Sequence, residues 1–104
     1  MMTIMKATLV HRGRQHLHDG AFVEIVIWRV PSPLQGSMHS FKYRMALVVD
    51  GACVMRFDNE AGKGDHKHVD GRETAYVFRG VDALFADFAA EVKGWFDGNA
   101  RSDD

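Results

Sequence analysis

Residues 41–57 read FKYRMALVVDGACVMRF, and this stretch decides the fold of the chain. Successive side chains of a strand point to opposite faces, so the odd-numbered apolar residues from Phe41 to Val49 form one face. Lys42 and Arg44 begin the other face. Asp50-Gly51 supplies the two positive φ values that a two-residue hairpin turn requires. This stretch therefore predicts an antiparallel hairpin with one apolar face and one partly basic face.

The register of this hairpin predicts which polar residues it brings together. A two-residue turn places Val49 opposite Ala52 and, further along, Arg44 opposite Phe57. The open end of the hairpin then carries the basic residues of the second face towards residues 58–68, DNEAGKGDHKH.

The rest of the chain supplies further strands and one helix. Upstream, residues 7–10 have a strand-like pattern, Asp19-Gly20 is a second hairpin turn, and residues 21–30 form a largely apolar strand. Downstream, residues 74–79 form a short strand, and residues 81–96 form an amphipathic helix with apolar residues at helical spacing. The fold class is therefore α+β: an antiparallel β-meander of about four to five strands with one C-terminal helix packed on one face.

Length and composition fit a single domain. The chain has 104 residues and a net charge of −1, and we expect a folded core at residues 6–96 with a polar tail at 97–104. A single cysteine excludes an internal disulfide and a cysteine zinc site. No apolar run approaches the roughly 20 residues that a membrane span needs, and residues 1–6 lack a signal-peptide pattern. We therefore expect a cytoplasmic protein with no membrane partner.

The run at residues 58–68 is the candidate functional stretch. It follows an apolar strand and concentrates acids, lysines and two histidines, which is where a rigid element would present chemistry. His66 and His68 are two residues apart, so in an extended segment they point to one side. Such a run is also typical of a solvated loop, and that reading stays open.

The side chains of this region can supply metal-independent cleavage of RNA. That reaction needs a base for the 2′-hydroxyl, an acid for the leaving oxygen, and cations for the developing phosphorane charge. His66 and His68 can serve as acid and base near neutral pH. The other candidate catalytic residues, which would stabilise charge or orient the histidines, are Arg44, Glu60, Lys63 and Asp65. The candidate substrate-binding residues are Lys42, Tyr43, Asn59, Gly62, Gly64 and Lys67.

Two other functions use the same residues. A divalent metal held by Asp65, His66 and His68 would make a metal-dependent nuclease or phosphotransferase, although nearby lysines would repel a cation. A non-catalytic module would bind nucleic acid or protein through the basic groups, with Tyr43 or His39 for stacking. The metal-independent reading requires no cofactor.

At these residues the sequence resembles the TumE-like toxin family of bacterial toxin–antitoxin systems. The resemblance covers residues 6 to about 96, and its most specific part is the string Gly62-Lys63-Gly64-Asp65-His66-x-His68. The supporting segments are Met5-Lys6-Ala7-Thr8-Leu9, Asp19-Gly20, Val26-Ile27-Trp28, Pro31-Ser32-Pro33, Gly36-Ser37, Phe41-Lys42-Tyr43-Arg44, Asp58-Asn59-Glu60 and Leu84-Phe85-Ala86-Asp87-Phe88.

The resemblance implies a toxin that a helix-turn-helix antitoxin neutralises. Many toxins of this size act on RNA, so RNA is the expected target. Independently of the resemblance, a free edge of the meander would permit a homodimer.

Overall fold

The computed structural model describes residues 6–100, and the side chains of residues 6–99. The elements in chain order are β1 (Thr8–His16), β2 (Ala21–Arg29), β3 (Phe41–Val49), β4 (Ala52–Glu60), β5 (Gly64–Val69), β6 (Arg72–Ala75) and α1 (Val81–Ala100). The strands form one antiparallel sheet in the order β1-β2-β3-β4-β5-β6. This confirms the predicted α+β meander with a C-terminal helix, although six strands form where four to five were predicted.

Helix α1 covers one face of the sheet, which we call the inner face. Phe57 of β4 meets Phe88 of α1 edge-on with ring centroids 5.4 Å apart, and Tyr43, Met45 and Leu84 are buried in the same core. Burial of one large apolar side chain contributes about 1.5–3 kcal/mol. On the opposite face, the outer face, no helix or strand of residues 6–100 is packed.

A β-bulge corrects the predicted register of the central hairpin. The pairing shifts between Leu47 and Val48, so Arg44 lies opposite Asp58 and not opposite Phe57. Without this shift Phe57 would share the outer face with Arg44, because directly paired residues point to the same side. One extra residue in the ladder returns Phe57 to the core.

The polar run at residues 58–68 is a hairpin and not a solvated loop. Strand β4 continues through its first residues, and β5 begins after a short turn. Asp58 pairs with His66 and Asn59 pairs with Asp65. The ladder satisfies the backbone groups of these residues, while their side chains alternate between the two faces. Neighbouring polar residues in this run therefore lie on opposite sides of the sheet.

Three other boundaries differ from the sequence prediction. Strand β1 extends through polar residues to His16, because it pairs with β2 over that length. Strand β6 covers Arg72–Ala75, and the chain then leaves the sheet before Arg79. Helix α1 continues to Ala100, so residues 97–100 are helical, and the remainder of the predicted tail lies outside the described residues. Among the described residues, no helix combines the length and apolar character that crossing a membrane requires.

Candidate functional site

The residues predicted to form one site are divided between the two faces of the sheet. The alternation of side chains along each strand makes this division unavoidable. The members on the outer face are Lys42, Arg44, His66 and His68. The members on the inner face are Tyr43, Asn59, Asp65 and Lys67. At the tip of the β4–β5 hairpin, Glu60 ends β4, Gly64 begins β5, and Gly62 and Lys63 lie in the turn.

Five side chains on the outer face form a cluster, which we call the outer-face cluster: Arg56, Asp58, His66, His68 and Glu73. The two imidazole rings are nearly parallel, with centroids 5.9 Å apart. Both Nε2 atoms approach the same Glu73 oxygen, His66 at 3.1 Å and His68 at 3.8 Å. The sheet thus holds two histidines side by side against one carboxylate.

Arg56 and Asp58 complete the cluster from strand β4. Arg56 Nε lies 3.0 Å from Asp58 Oδ2, and His68 Nε2 lies 3.8 Å from Asp58 Oδ1. Arg56 Nη2 is 3.1 Å from His68 Nε2. Because a guanidinium can only donate, this contact makes His68 Nε2 the acceptor. His68 therefore presents a lone pair on Nε2, which is the form that a general base needs.

His66 differs from His68 in burial and in partners. Its side chain is 12% exposed, against 29% for His68. Its Nδ1 atom is buried and has no hydrogen-bond partner within residues 6–100. Its Nε2 lies 3.1 Å from a carboxylate oxygen of Glu73, a contact that becomes an ion pair when the ring carries a second proton.

Lys42 and Arg44 extend the positive charge of the outer face beyond the cluster. Both side chains are exposed, and neither forms an ion pair with a side chain of residues 6–100. Arg44 lies opposite Asp58, but Asp58 is paired with Arg56. Two positively charged side chains that no neighbouring acid of residues 6–100 neutralises, on a sheet face that no helix of these residues covers, can bind a polyanion.

Asp65 belongs to a different set of contacts at the inner face, which we call the Asp65 network: Ser37, His39, Tyr43, Asn59 and Asp65. Ser37 Oγ donates to Asp65 Oδ1 at 2.8 Å, and Tyr43 Oη donates to Oδ2 at 2.7 Å. Asn59 accepts from the Tyr43 amide at 3.0 Å and donates to Ser37 Oγ at 3.3 Å. These bonds attach the loop that precedes β3 to strands β4 and β5.

His39 joins this network as a donor. The amide of Phe41 donates to His39 Nδ1 at 3.2 Å, so Nδ1 carries the lone pair. His39 Nε2 must then carry the proton that it donates to Asp65 Oδ2 at 2.7 Å. Its ring also stacks on Phe78, with centroids 3.8 Å apart. Both ring nitrogens are occupied, which leaves His39 no atom for proton transfer to a ligand.

Tyr43 remains protonated in this setting. Burial raises the pKa of the Tyr43 hydroxyl, and its hydrogen bond to the Asp65 carboxylate raises that pKa further. A buried, neutral phenol on the inner face cannot stack on a nucleobase. The expectation that Tyr43 or His39 would serve for stacking therefore has no support in their positions.

Lys67 and the hairpin tip also have structural contacts. Lys67 Nζ lies 2.8 Å from Glu91 Oε2 and connects β5 to α1. Gly62 donates its amide to Gln35 O at 2.7 Å. A Cβ atom on Gly64, whose φ is 77°, would stand 2.9 Å from the carbonyl oxygen of Gly36. Close backbone approach explains this glycine. Glu60 and Lys63 are exposed and 3.9 Å apart.

The division between faces also bears on the alternative metal site. Asp65 lies on the inner face, and His66 and His68 lie on the outer face, so in this arrangement the three cannot ligate one ion. Within residues 6–100, no group of three or more His, Cys, Asp or Glu side chains is placed to hold a metal. On the outer face, the guanidinium of Arg56 stands at His68 Nε2, where a ligand nitrogen would face its metal.

The sequence prediction did not include three members of the outer-face cluster: Arg56, Asp58 and Glu73. A signal for Glu73 was present in Asp70-Gly71, a third Asp-Gly pair whose residues have φ of 49° and 84°. A two-residue turn there puts His68 opposite Glu73, as observed. Asp58 and Arg56 could be placed only with the bulge, for which the sequence gives no clear signal.

The family comparison confirms the resemblance found in the sequence. The family model described as Toxin TumE matches residues 5–96, which include all six strands and most of α1. No curated protein and no solved structure matches the chain. Because the match spans nearly the whole chain, this protein belongs to the TumE toxin family.

Proposed function

We propose that this toxin cleaves RNA without a metal, on the outer face of its sheet, with His68 as base and His66 as acid. The observation that carries the proposal is the pair of imidazole rings held 5.9 Å apart against Glu73, beside Arg56. Two titratable groups side by side, one presenting a lone pair and one backed by a carboxylate, have the pattern of an acid–base pair.

The reaction is an internal transfer at phosphorus. His68 takes the proton of the 2′-hydroxyl, the 2′-oxygen attacks phosphorus, and His66 gives a proton to the departing 5′-oxygen. The products are a 2′,3′-cyclic phosphate and a 5′-hydroxyl. Arg56 moves from His68 to the phosphorane oxygens as negative charge develops there. When Arg56 leaves His68, the lone pair on His68 Nε2 is free to accept the proton of the 2′-hydroxyl.

The remaining outer-face residues have supporting roles. Glu73 positions His66 through the contact at 3.1 Å, and Asp58 positions Arg56 at 3.0 Å. Lys42 and Arg44 bind substrate phosphates. Glu60 and Lys63, at the exposed hairpin tip, are 3.9 Å apart, and we assign them no direct step.

The toxin family implies an antitoxin partner. That this partner is a helix-turn-helix protein, and that both act in the cytoplasm, belongs to the proposal.

The proposal is tested with the purified full chain, freed of any co-purifying partner, and RNA of mixed length with and without EDTA. The variant is His66→Gln with His68→Gln. The control is His16→Gln, which changes a histidine at the far end of the same face, opposite Phe22. We expect cleavage to survive EDTA and the control substitution, and to fall in the double variant by at least about 100-fold.

Other results would contradict the proposal in distinct ways. Loss of cleavage in EDTA would replace it with a metal-dependent reaction. Absence of any cleavage, with the double variant as toxic in cells as the unchanged chain, would remove the nuclease and leave a binding function. The uncompensated charges of Lys42 and Arg44 favour that second candidate, a toxin that binds RNA without cutting it. Saturable binding with intact RNA would identify it.

A further inference from the structure

The outer face carries a second feature three strands from the histidines, around Trp28. On β2 and β3, Trp28 lies opposite Lys42, and Val26 lies opposite Arg44. On β1, Arg12 lies opposite Val26. Directly opposed residues of an antiparallel pair share a face. One partly exposed indole and three cations therefore lie together on the open side of the sheet.

The geometry around Trp28 leaves its ring within reach of a ligand. The Arg12 guanidinium is 5.7 Å from the centroid of the indole, which is a loose cation–π contact. Trp28, Val26, Lys42 and Arg44 line a shallow groove of about 230 Å³. A planar group can enter over the ring if Arg12 moves aside.

The patch around Trp28 consists of Trp28, Arg12, Lys42 and Arg44, and no neighbouring acidic side chain in the described part of the chain neutralises its positive charges. Arg12, Lys42 and Arg44 form no ion pair with side chains of residues 6–100, whereas the neighbouring Arg14 is paired with Glu24 at 3.1 Å. Cations around an aromatic ring are the combination that binds a single-stranded nucleic acid: the ring stacks on a base and the cations contact phosphates. A base inside a duplex is already stacked and cannot cover the ring.

We propose that Trp28 is a stacking subsite for one unpaired base of single-stranded RNA, with Arg12, Lys42 and Arg44 on the adjacent phosphates. This inference rests on the proposed action on RNA and adds the strandedness of the substrate and a second contact point. The expected ligand is a flexible single strand that crosses the β-strands from Trp28 towards the histidines.

The spacing of the sheet gives the length of a stacked strand that would reach both contact points. Arg44, Asp58 and His66 are consecutive partners across β3, β4 and β5. Neighbouring strands are about 4.8 Å apart, so Trp28, three strands from β5 and two residues further along, is roughly 16 Å from His66. A strand whose bases remain stacked advances about 3.4 Å per nucleotide, so a stacked substrate that reaches both covers on the order of five nucleotides.

The chain allows a direct optical test because its two tryptophans occupy different surroundings. Trp95 is on α1, donates to Asp70 Oδ1 at 3.0 Å and packs edge-on against Phe96. In Trp95→Phe, the remaining fluorescence reports Trp28 alone. The titration uses this variant together with His66→Gln and His68→Gln, so that the RNA stays intact. The probes are a short mixed-sequence single-stranded RNA and the same strand in a duplex.

We expect the single strand to quench Trp28 fluorescence saturably and the duplex to bind more weakly without that quenching. Trp28→Ala should raise the Kd for the single strand at least about fivefold, the loss expected for one stacked base. Trp28→Phe should retain most of the affinity, which separates lost stacking from lost folding. Lys42→Gln with Arg44→Gln should reduce the slope of log Kd against log salt by about 1.4, or 0.7 for each phosphate contact.

Three outcomes would overturn the inference. They are equal affinity for duplex and single strand, a saturable titration that leaves Trp28 fluorescence unchanged, and an unchanged Kd in folded Trp28→Ala. Loss of antitoxin binding alone in Trp28→Ala would reassign the patch to the protein partner. Failure of the nuclease proposal is separate: Trp28 would be quenched by RNA that the unchanged chain never cuts.

Discussion

Two adjacent residues of β5, Asp65 and His66, belong to two regions with opposite properties. Around Asp65, the carboxylate is 9% exposed and receives hydrogen bonds from a serine, a histidine and a tyrosine. Around His66, one ring nitrogen has no partner within residues 6–100, and Glu73 is half exposed. A network in which every polar group has a hydrogen-bond partner stabilises the fold. A cluster that keeps polar atoms without partners can instead bind a ligand and react with it. The two regions are separated only by the alternation of side chains along one strand.

The largest expected effect concerns the two carboxylates, Asp65 and Glu73. Asp65→Ala leaves three donors without their acceptor in a nearly closed site, so we expect a loss of stability on the order of 3 kcal/mol or more. Glu73→Ala changes a half-exposed residue and should cost less than about 1 kcal/mol, while lowering RNA cleavage. Urea unfolding and cleavage rates measure both effects. Equal destabilisation by the two substitutions would show that the regions do not differ as described.

The second prediction uses pH to examine the Asp65 network. The folded-state pKa of Tyr43 is raised above its ordinary value of 10.0, mainly by burial, so the folded protein retains a proton that the unfolded chain loses. Stability from this group is complete below pH 10 and decreases as the pH rises further. The slope is about 1.4 kcal/mol per pH unit for each such tyrosine.

Tyr76 provides the comparison for that measurement, since burial and a hydrogen bond to Asp87 also raise its pKa. We expect two slopes to add in the unchanged chain, and Tyr43→Phe to remove one of them. Urea unfolding at several pH values above 10 measures the slope of stability against pH. Tyrosinate absorbance of the folded protein measures the ionisation of its phenols. Normal ionisation of both phenols near pH 10 would refute the assigned burial of Tyr43.

The smallest expected effect compares two lysines on opposite faces, Lys67 and Lys42. Lys67→Gln breaks a partly exposed pair with Glu91 and should cost less than about 1 kcal/mol without weakening RNA binding. Lys42→Gln should leave stability unchanged and weaken RNA binding, with a reduced dependence on salt. Denaturation midpoints and binding titrations at several salt concentrations distinguish the two. Reversed results would place the RNA on the helix side.

Local sequence patterns predicted much of the fold. Alternation in residues 41–49 and the turn at Asp50-Gly51 predicted the central hairpin, and helical spacing predicted α1. Strand β4 was predicted too short, because its last residues are polar and only their pairing with β5 makes them a strand. The candidate site was predicted in part. His66 and His68 share a face, but the histidine contacts of the outer-face cluster come from Arg56, Asp58 and Glu73.

The sequence by itself determined the meander, the helix and the pairing of His66 with His68 on one side, because φ preferences and side-chain periodicity act within a few residues. The tertiary structure decided which face is buried, so that Asp65 lies in a closed network on the inner face and Asp58 shares the outer face with the histidines. That outcome depends on one bulge between Leu47 and Val48 and on the pairing of strands distant in the chain. Register is a property of two strands together, and the burial of Phe57 selects it.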